Sequence, residues 1–184
     1  MVETMLYGPA FALAESLIET RSLDCTSAVF AEISADLLGA GKDLRFQARG
    51  CSMRPMVRDG DVLLVKAIKP PMIKVPDVVL YVNDLGYAVV HRVIGKRKRQ
   101  GIHWFTIQGD QVGQIDGIFP ESQILGKVIS LERNGGTIET CTPAYRWLGF
   151  MAAVRSRLGF KQEKAAIIIT KLIKSMALFR QYFD

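Results

Sequence analysis

The spacing of apolar and polar residues changes twice along this chain, from a helical period to an alternating one and back. The first 42 residues have a helical period, and Asp24 is placed to cap a helix that ends at Gly39-Ala40-Gly41. The apolar face of this helix is predicted to consist of Val29, Phe30, Ile33, Leu37 and Leu38. We therefore expect a helical segment that covers a hydrophobic surface of the domain that follows.

The pattern over 43–143 is that of β-strands separated by turns. Apolar and polar residues alternate strictly over 44–49, as in a strand with one buried face. Further strands are predicted over 61–68, 77–82, 87–94, 102–108, 123–132 and 137–140. Turn sequences such as Pro70-Pro71 and Asn134-Gly135-Gly136 lie between them. Many short strands with tight turns predict a mainly β fold with flanking helices, in which a coiled antiparallel sheet is partly barrel-like.

Residues 144–184 return to a helical period. One apolar stripe is predicted from Tyr145, Trp147, Leu148, Met151, Val154 and Leu158, and a second helix is predicted from Lys161 to about Phe183. The chain is thus predicted to have a helical segment over 1–42, a β-rich domain over 43–143 and a basic helical tail over 144–184.

Positive charge is concentrated in this tail. The formal net charge is +6, and all of this excess lies within 145–184. Basic amphipathic helices with Trp and Phe suit an anionic membrane surface, but they equally suit packing on the β domain. We expect neither a secretory leader nor a spanning helix, which needs about 20 mostly apolar residues. The expected location is cytoplasmic, with the tail as a candidate for peripheral attachment at the inner face of the cell membrane.

The cysteines give no sign of a disulfide framework or a metal site. Cys25, Cys51 and Cys141 are odd in number and widely spaced, which suits a reducing compartment. No ligand spacing typical of a metal is present. We therefore expect no metal and no cofactor.

One short loop carries the candidate chemistry. Gly50-Cys51-Ser52-Met53-Arg54-Pro55 precedes a predicted buried strand, so its serine would be held rigidly. A serine hydroxyl needs a base within hydrogen-bonding reach, and His91 in a later predicted strand is the candidate. Either Asp110 or Asp116 could orient His91 if the strands over 87–94 and 102–108 form a hairpin.

Plainer interpretations exist for several of these residues. A serine, a histidine and a loop aspartate occur together by chance in most proteins, and loop aspartates usually form turns. His103 is predicted to face outward from its strand, and Cys51 to have a packing role. The basic run over 96–99 is interpreted as a solvated hairpin tip, and no nucleic-acid partner is expected.

Short motifs in a fixed order make the chain similar to one family. They are Gly50-x-Ser52-Met53-x-Pro55, Gly60-Asp61-Val62, Asp77-Val78-Val79, Val90-His91-Arg92-Val93-Ile94, Gly109-Asp110 and Leu125-Gly126-Lys127-Val128. This set resembles the type I signal peptidase superfamily, which includes the self-cleaving LexA-like repressors, and it covers roughly half of the chain. Bacterial signal peptidases and LexA-like proteins have a lysine where this chain has His91. The endoplasmic-reticulum and archaeal type has a histidine there.

The resemblance implies a serine endopeptidase that cuts a peptide or preprotein. It implies Ser52 as the nucleophile and His91 as the general base. It matches Asp116 to the third catalytic position and Asp110 to a neighbouring supporting aspartate, and we rank Asp116 first.

The loop around Ser52 is expected to bind the substrate and the oxyanion. Gly50 tolerates a positive φ and lets a substrate backbone approach, while Pro55 stiffens the turn. Met53 is expected to plug into the core, and Cys51 completes the loop. The N–H of Ser52 is expected to help bind the oxyanion. Because Gly50 has no hydroxyl, a side-chain donor present in some relatives is missing.

The chain departs from the family in two places. Pro76-Asp77 stands where the family has Gly-Asp, and the membrane-spanning anchor of a signal peptidase is not expected here.

Two other functions are also compatible with the sequence. One alternative is a LexA-like regulator that cuts itself, for which Ala40-Gly41 resembles a scissile pair. The other is a non-catalytic binding protein on the same fold, recruited to membranes by its tail.

Overall fold

The fold is that of a computed structural model, which describes residues 27–111 and 114–157. The predicted cap at Asp24 and the predicted second tail helix lie outside the described residues. No helix in the described part is both long and apolar enough to cross a membrane.

Eight strands form one antiparallel sheet. They are β1 (Leu44–Gln47), β2 (Val62–Lys66), β3 (Val78–Val82), β4 (Ala88–Arg99), β5 (Ile102–Gln108), β6 (Gly117–Pro120), β7 (Ile124–Arg133) and β8 (Gly136–Glu139). The order is β1-β2-β7-β3-β4-β5-β6, and β8 pairs with β7. The mainly β fold with an antiparallel sheet and helices is confirmed. The sheet is open, because the described strands at its two ends, β1 and β6, do not pair to close a barrel.

Most predicted strands agree with the observed ones to within one or two residues at each end, and two strands, β4 and β6, differ more. β4 continues to Arg99, so the basic run over 96–99 is the outer end of a strand, next to the turn at Gln100-Gly101, and not the turn itself. Arg97, Lys98 and Arg99 are exposed there, in agreement with the interpretation as a solvated hairpin tip. Pairing with β5 carries this extension, from Lys96 opposite Phe105 to Arg99 opposite Ile102. The Nζ of Lys96 also donates to the carbonyl oxygens of Pro70, Pro71 and Ile73 at 2.8–3.0 Å. β6 has no counterpart among the predicted strands, because its sequence, Gly117-Ile118-Phe119-Pro120, begins and ends with residues typical of turns.

Helix α1 (Ser27–Gly39) packs on the sheet with a face that is rotated from the predicted one. Its buried residues are Ala31, Ser34 and Leu38. Val29 and Ile33 were expected on the buried face, and both are exposed. The rotation buries two short side chains, Ala31 and Ser34, together with Leu38.

Helix α2 (Pro143–Arg157) also packs on the sheet. Tyr145 and Leu148 are buried in the core, as the predicted stripe requires, whereas Trp147 is 40% exposed and does not belong to the buried face. Packing on the β domain, one of the two possibilities raised by the tail sequence, therefore describes α2.

The sheet separates two hydrophobic clusters. Val78 and Leu80 belong to the cluster that also contains Leu38 of α1 and Leu148 of α2. Their neighbours Val79 and Tyr81 belong to the other cluster, because successive side chains of a strand point to opposite faces. In the pairing of β3 with β4, His91 lies opposite Val79 and Arg92 lies opposite Val78. His91 and Arg92 therefore extend from opposite faces of the sheet.

Candidate active site

Ser52 lies in a series of turns between β1 and β2, and this loop is anchored in the hydrophobic core. Met53 is buried in the same cluster as the helices, as predicted. Two backbone hydrogen bonds of 3.0 Å tighten the loop, from Arg54 N–H to the Cys51 carbonyl and from Val57 N–H to the Met53 carbonyl. The serine is therefore presented on a fixed backbone.

The other residues of the loop have different environments. Gly50 has a φ of 97°, in the region that favours glycine, as the sequence led us to expect. Its N–H donates to Asp59 Oδ1 at 2.7 Å. Pro55 follows a cis peptide bond and is exposed. Cys51 is exposed, so the packing role expected for it is wrong.

Ser52, His91 and Asp116 form a continuous hydrogen-bonded series. Ser52 Oγ lies 2.7 Å from His91 Nε2. The other ring nitrogen, Nδ1, is hydrogen-bonded to Asp116 Oδ2. An Nδ1–H that donates to the carboxylate leaves Nε2 free to accept the serine proton. The three side chains thus have the mutual geometry of a serine nucleophile, its base and an orienting carboxylate.

The two candidate aspartates form hydrogen bonds with different partners. Strands β4 and β5 form the hairpin that either aspartate required. Asp116 N–H donates to the Ile107 carbonyl at 3.0 Å, which returns the chain along β5 and places the Asp116 carboxylate against His91. Asp110 instead accepts hydrogen bonds from Arg92 Nε and Nη2, both at 2.6 Å.

The pair formed by Arg92 and Asp110 is buried on the opposite face of the sheet from His91. Both side chains are almost wholly inaccessible, and Arg92 Nη1 also donates to the Pro76 carbonyl at 2.8 Å. Burial alone would lower the pKa of Arg92, but the adjacent Asp110 carboxylate more than offsets this and the pKa is raised. Arg92 is therefore charged, and it holds Asp110 in a fixed position.

Gly109 and Gln111, which flank Asp110, contact the nucleophile loop. The N–H of Gln111 donates to the Ser52 carbonyl at 2.8 Å. A Cβ atom on Gly109 would lie 3.0 Å from the Ser52 carbonyl oxygen and 3.1 Å from His91 Nε2. The lack of a side chain at Gly109 thus lets this segment pass directly behind the serine and histidine. This is a physical reason for the Gly109-Asp110 motif that its spacing does not reveal.

Tyr81 is a site residue that the sequence analysis missed. Its hydroxyl donates to Asp116 Oδ2 at 2.9 Å, the same oxygen that His91 contacts. Burial, followed by the negative charge of Asp116, raises the pKa of Tyr81, so the phenol stays protonated and can only donate to the carboxylate. The available signal was its position in β3, where it alternates with Val79 and so shares the face of His91.

The second histidine has a separate partner. His103 Nδ1 lies 2.7 Å from Glu121 Oε2, and its side chain is only 13% exposed, so the prediction that it faces outward is wrong. Within 27–111 and 114–157, no group of three or more His, Cys, Asp or Glu residues is arranged to hold a metal ion.

Comparisons with known proteins add no family assignment. No protein-family model matches the chain, and no curated protein matches it. The features of this chain that bear on function are therefore its motifs and the geometry around Ser52.

Proposed function

We propose that the protein is a serine endopeptidase of the signal-peptidase-like type, with Ser52 as nucleophile, His91 as general base and Asp116 as the orienting carboxylate. The observation that carries the proposal is the 2.7 Å contact between Ser52 Oγ and His91 Nε2. The hydrogen bond from His91 to Asp116 supports it, because it leaves Nε2 as the acceptor. A non-catalytic protein on this fold would have no need for that alignment.

The proposed reaction begins when Ser52 Oγ attacks the carbonyl carbon of a peptide bond and its proton passes to His91 Nε2. The carbonyl oxygen becomes an oxyanion, for which the N–H of Ser52 is the proposed donor. The carbon–nitrogen bond then breaks as His91 gives its proton to the departing amine, leaving an ester on Ser52. Water, deprotonated by His91, hydrolyses that ester and restores the hydroxyl.

Two features support a role for the Ser52 N–H. Among the described residues, none accepts a hydrogen bond from it. The carbonyl of the same residue is held by Gln111, which fixes the orientation of the loop. A donor fixed before the reaction needs no reorganisation when charge develops on the substrate.

The substrate is proposed to be a separate polypeptide. In the self-cleaving alternative, the bond between Ala40 and Gly41 would be cut. That bond lies in the hydrogen-bonded end of α1, where Gly41 N–H donates to Leu38 and Lys42 N–H donates to Leu37, each at 3.0 Å. Peptidase substrates of the strand-adding kind bind in an extended form, so this helix end would first have to open.

Membrane attachment through the tail is a separate part of the proposal. Tyr145 and Leu148 of α2 pack in the core, whereas Trp147 and Phe150 of the same helix are exposed. An exported preprotein and a polypeptide in the cytoplasm are both compatible with the proposed chemistry.

A peptide library analysed by mass spectrometry tests the proposal. Wild type and Ser52→Ala are incubated with the library, and Ser122→Ala serves as the control because Ser122 is an exposed serine in the turn between β6 and β7. We expect the same cuts from wild type and Ser122→Ala and none from Ser52→Ala. Cuts that persist in Ser52→Ala, or a folded wild type that cuts nothing, would count against a serine peptidase.

A further inference from the structure

The outer part of the hairpin formed by β4 and β5 extends beyond β3. β3 pairs with β4 only as far as Arg92, whereas β5 accompanies β4 to Arg99. In this outer part Arg97 lies opposite Trp104, and Arg99 lies opposite Ile102. Residues paired across antiparallel strands share a face. The side chains of Arg97, Arg99, Ile102 and Trp104 therefore lie on one face, which we call the Arg-Trp face.

The two arginines of the Arg-Trp face are available to a ligand. They line a shallow depression together with Trp104, and both are exposed. Neither guanidinium forms a hydrogen bond or an ion pair with another described residue. Four other arginines of the described part are paired: Arg45 with Glu132, Arg92 with Asp110, Arg133 with Asp61 and Arg146 with Asp77.

The spacing of these cations matches an extended acidic peptide. Arg97 and Arg99 are two positions apart on a strand, so their Cα atoms are separated by about 7 Å. Two carboxylates that are also two positions apart on an extended peptide have the same separation. A guanidinium can bind a carboxylate through two parallel hydrogen bonds, and the indole of Trp104 offers an apolar surface to a neighbouring side chain.

We propose that the Arg-Trp face binds an acidic, extended segment of the polypeptide substrate, with one carboxylate on Arg97 and another on Arg99. The choice of a peptide rests on the proposed function, because a peptidase already requires a polypeptide at Ser52. Positive charge also flanks the nucleophile itself. Arg49 and Arg54 are exposed on either side of Ser52, and neither guanidinium has an ion-pair partner among the described residues.

The Arg-Trp face and the candidate active site lie at different positions along β4. About six residues separate His91 from Arg97, which corresponds to about 20 Å of strand. An extended peptide of about six residues covers the same distance. Because the register shifts between Val93 and Gly95, Lys96 shares the face of His91 and lies over the ring of Phe105, whereas Arg97 and Arg99 lie on the other face. A substrate segment on the Arg-Trp face is therefore expected more than six residues from the bond that is cut, where it would hold the substrate without touching the reacting atoms.

Intrinsic fluorescence offers a direct readout. The chain has two tryptophans, Trp104 and Trp147. In the full-length Ser52→Ala/Trp147→Phe protein, Trp104 is the sole tryptophan and any bound peptide stays intact. The probe is a peptide with three glutamates at alternate positions, separated by serine and glycine, and its partner has glutamine at those positions. We expect a saturable fluorescence change with the glutamate peptide that weakens as salt is raised, and none with the glutamine peptide.

Variants that each lack one positive charge test where the glutamate peptide binds. Arg97→Gln and Arg99→Gln are each expected to weaken binding of the glutamate peptide about tenfold, since each removes one charge-assisted pair. Lys98→Gln is the matched control, because Lys98 is exposed on the opposite face of the same strand and pairs with His103. We expect it to change the affinity by less than about twofold.

Three results would overturn the proposal. One is a Lys98→Gln protein that loses as much affinity as Arg97→Gln, which indicates unspecific attraction to net charge. Another is the absence of any response to the glutamate peptide. The third is a Trp104 response to phosphatidylglycerol vesicles or to a single-stranded oligonucleotide that exceeds the response to the peptide. Because the protein in this assay carries Ser52→Ala, its outcome is independent of whether the wild type cleaves peptides.

Discussion

Asp116 receives hydrogen bonds from two side chains at one carboxylate oxygen. His91 contacts Oδ2 from β4, and the hydroxyl of Tyr81 contacts it from β3 at 2.9 Å. Tyr81 is buried, and its pKa is raised by that burial and by the Asp116 charge, so it remains a neutral donor throughout the neutral range. Tyr81 is therefore a positioning residue, which acts on the proposed reaction through Asp116.

Tyr81→Phe removes this donor and keeps the ring. The carboxylate, with one donor fewer, would stabilise a protonated imidazole more strongly, and a protonated imidazole cannot accept the serine proton. We expect kcat/KM to fall about tenfold at neutral pH and its acidic limb to move to higher pH. The measurement is kcat/KM between about pH 5 and pH 9 on a cleavable peptide. Tyr87→Phe, at an exposed tyrosine next to β4, should match wild type, and a Tyr81→Phe profile with an unmoved acidic limb would contradict this role.

Part of this site could be predicted from the sequence. The predictable residues lie in distinctive local patterns, whereas the others are placed by contacts with distant parts of the chain. Ser52 and His91 lie in distinctive local patterns, which single them out without a structure. Asp110 and Asp116 lie in one segment after β5, and the choice between them depends on β6, a strand whose terminal Gly and Pro are typical of turns. Tyr81 gives no local sign of its function, since a tyrosine in an apolar strand is also an ordinary core residue.

Among the elements, helix α2 packs closely on the buried side chain of Arg92 because a glycine, Gly149, lies at the contact. A Cβ atom at Gly149 would lie 2.5 Å from Arg92 Nη1 and 3.2 Å from Pro76 Cγ. The absence of a side chain lets α2 lie directly on the guanidinium that holds Asp110. The helix, Arg92 and the segment behind Ser52 are therefore packed as one unit.

Gly149→Ala tests this packing. Alanine favours a helix over glycine by about 1 kcal/mol, but forcing a methyl group against Arg92 should cost about 1–3 kcal/mol. We expect a net loss in the free energy of unfolding, measured by denaturant titration. Gly39→Ala is the control, because a Cβ there meets nothing within 4 Å, and it should be neutral or stabilising. A Gly149→Ala protein as stable as Gly39→Ala would show that α2 does not pack closely on Arg92.

Elements with a regular pattern were predictable, and those held by distant contacts were not. β5 was predicted with its observed boundaries, since its apolar residues mark it clearly. The end of β4 was missed because a run of Lys and Arg has no alternation, and the carbonyl oxygens around Lys96 come from a remote turn. The face of α1 differs from the predicted one because apolar spacing does not reveal that the short side chains of Ala31 and Ser34 are buried.

For the molecule as a whole, α2 is part of the folded core although the sequence places it in a tail. Tyr145 and Leu148 pack with residues of β2, β3 and β7 in one cluster. Burial of each such side chain contributes about 1.5–3 kcal/mol. A chain that ends after Thr142 should therefore be less stable by about 3–6 kcal/mol than one that ends after Arg157. Chemical denaturation followed by circular dichroism measures the difference, and equal stability of the two would contradict the placement of α2 in the core.

The central claim is that Ser52, His91 and Asp116 act as one catalytic unit. The most direct test compares kcat/KM for one cleavable peptide among wild type, the three single alanine variants and the triple variant. Residues that act as a unit are strongly non-additive. We predict that Ser52→Ala and His91→Ala each lose on the order of 10³-fold or more and that the triple variant loses no more than the worst single one. Losses that multiply from one variant to the next, or a Ser52→Ala protein with wild-type activity, would contradict the account.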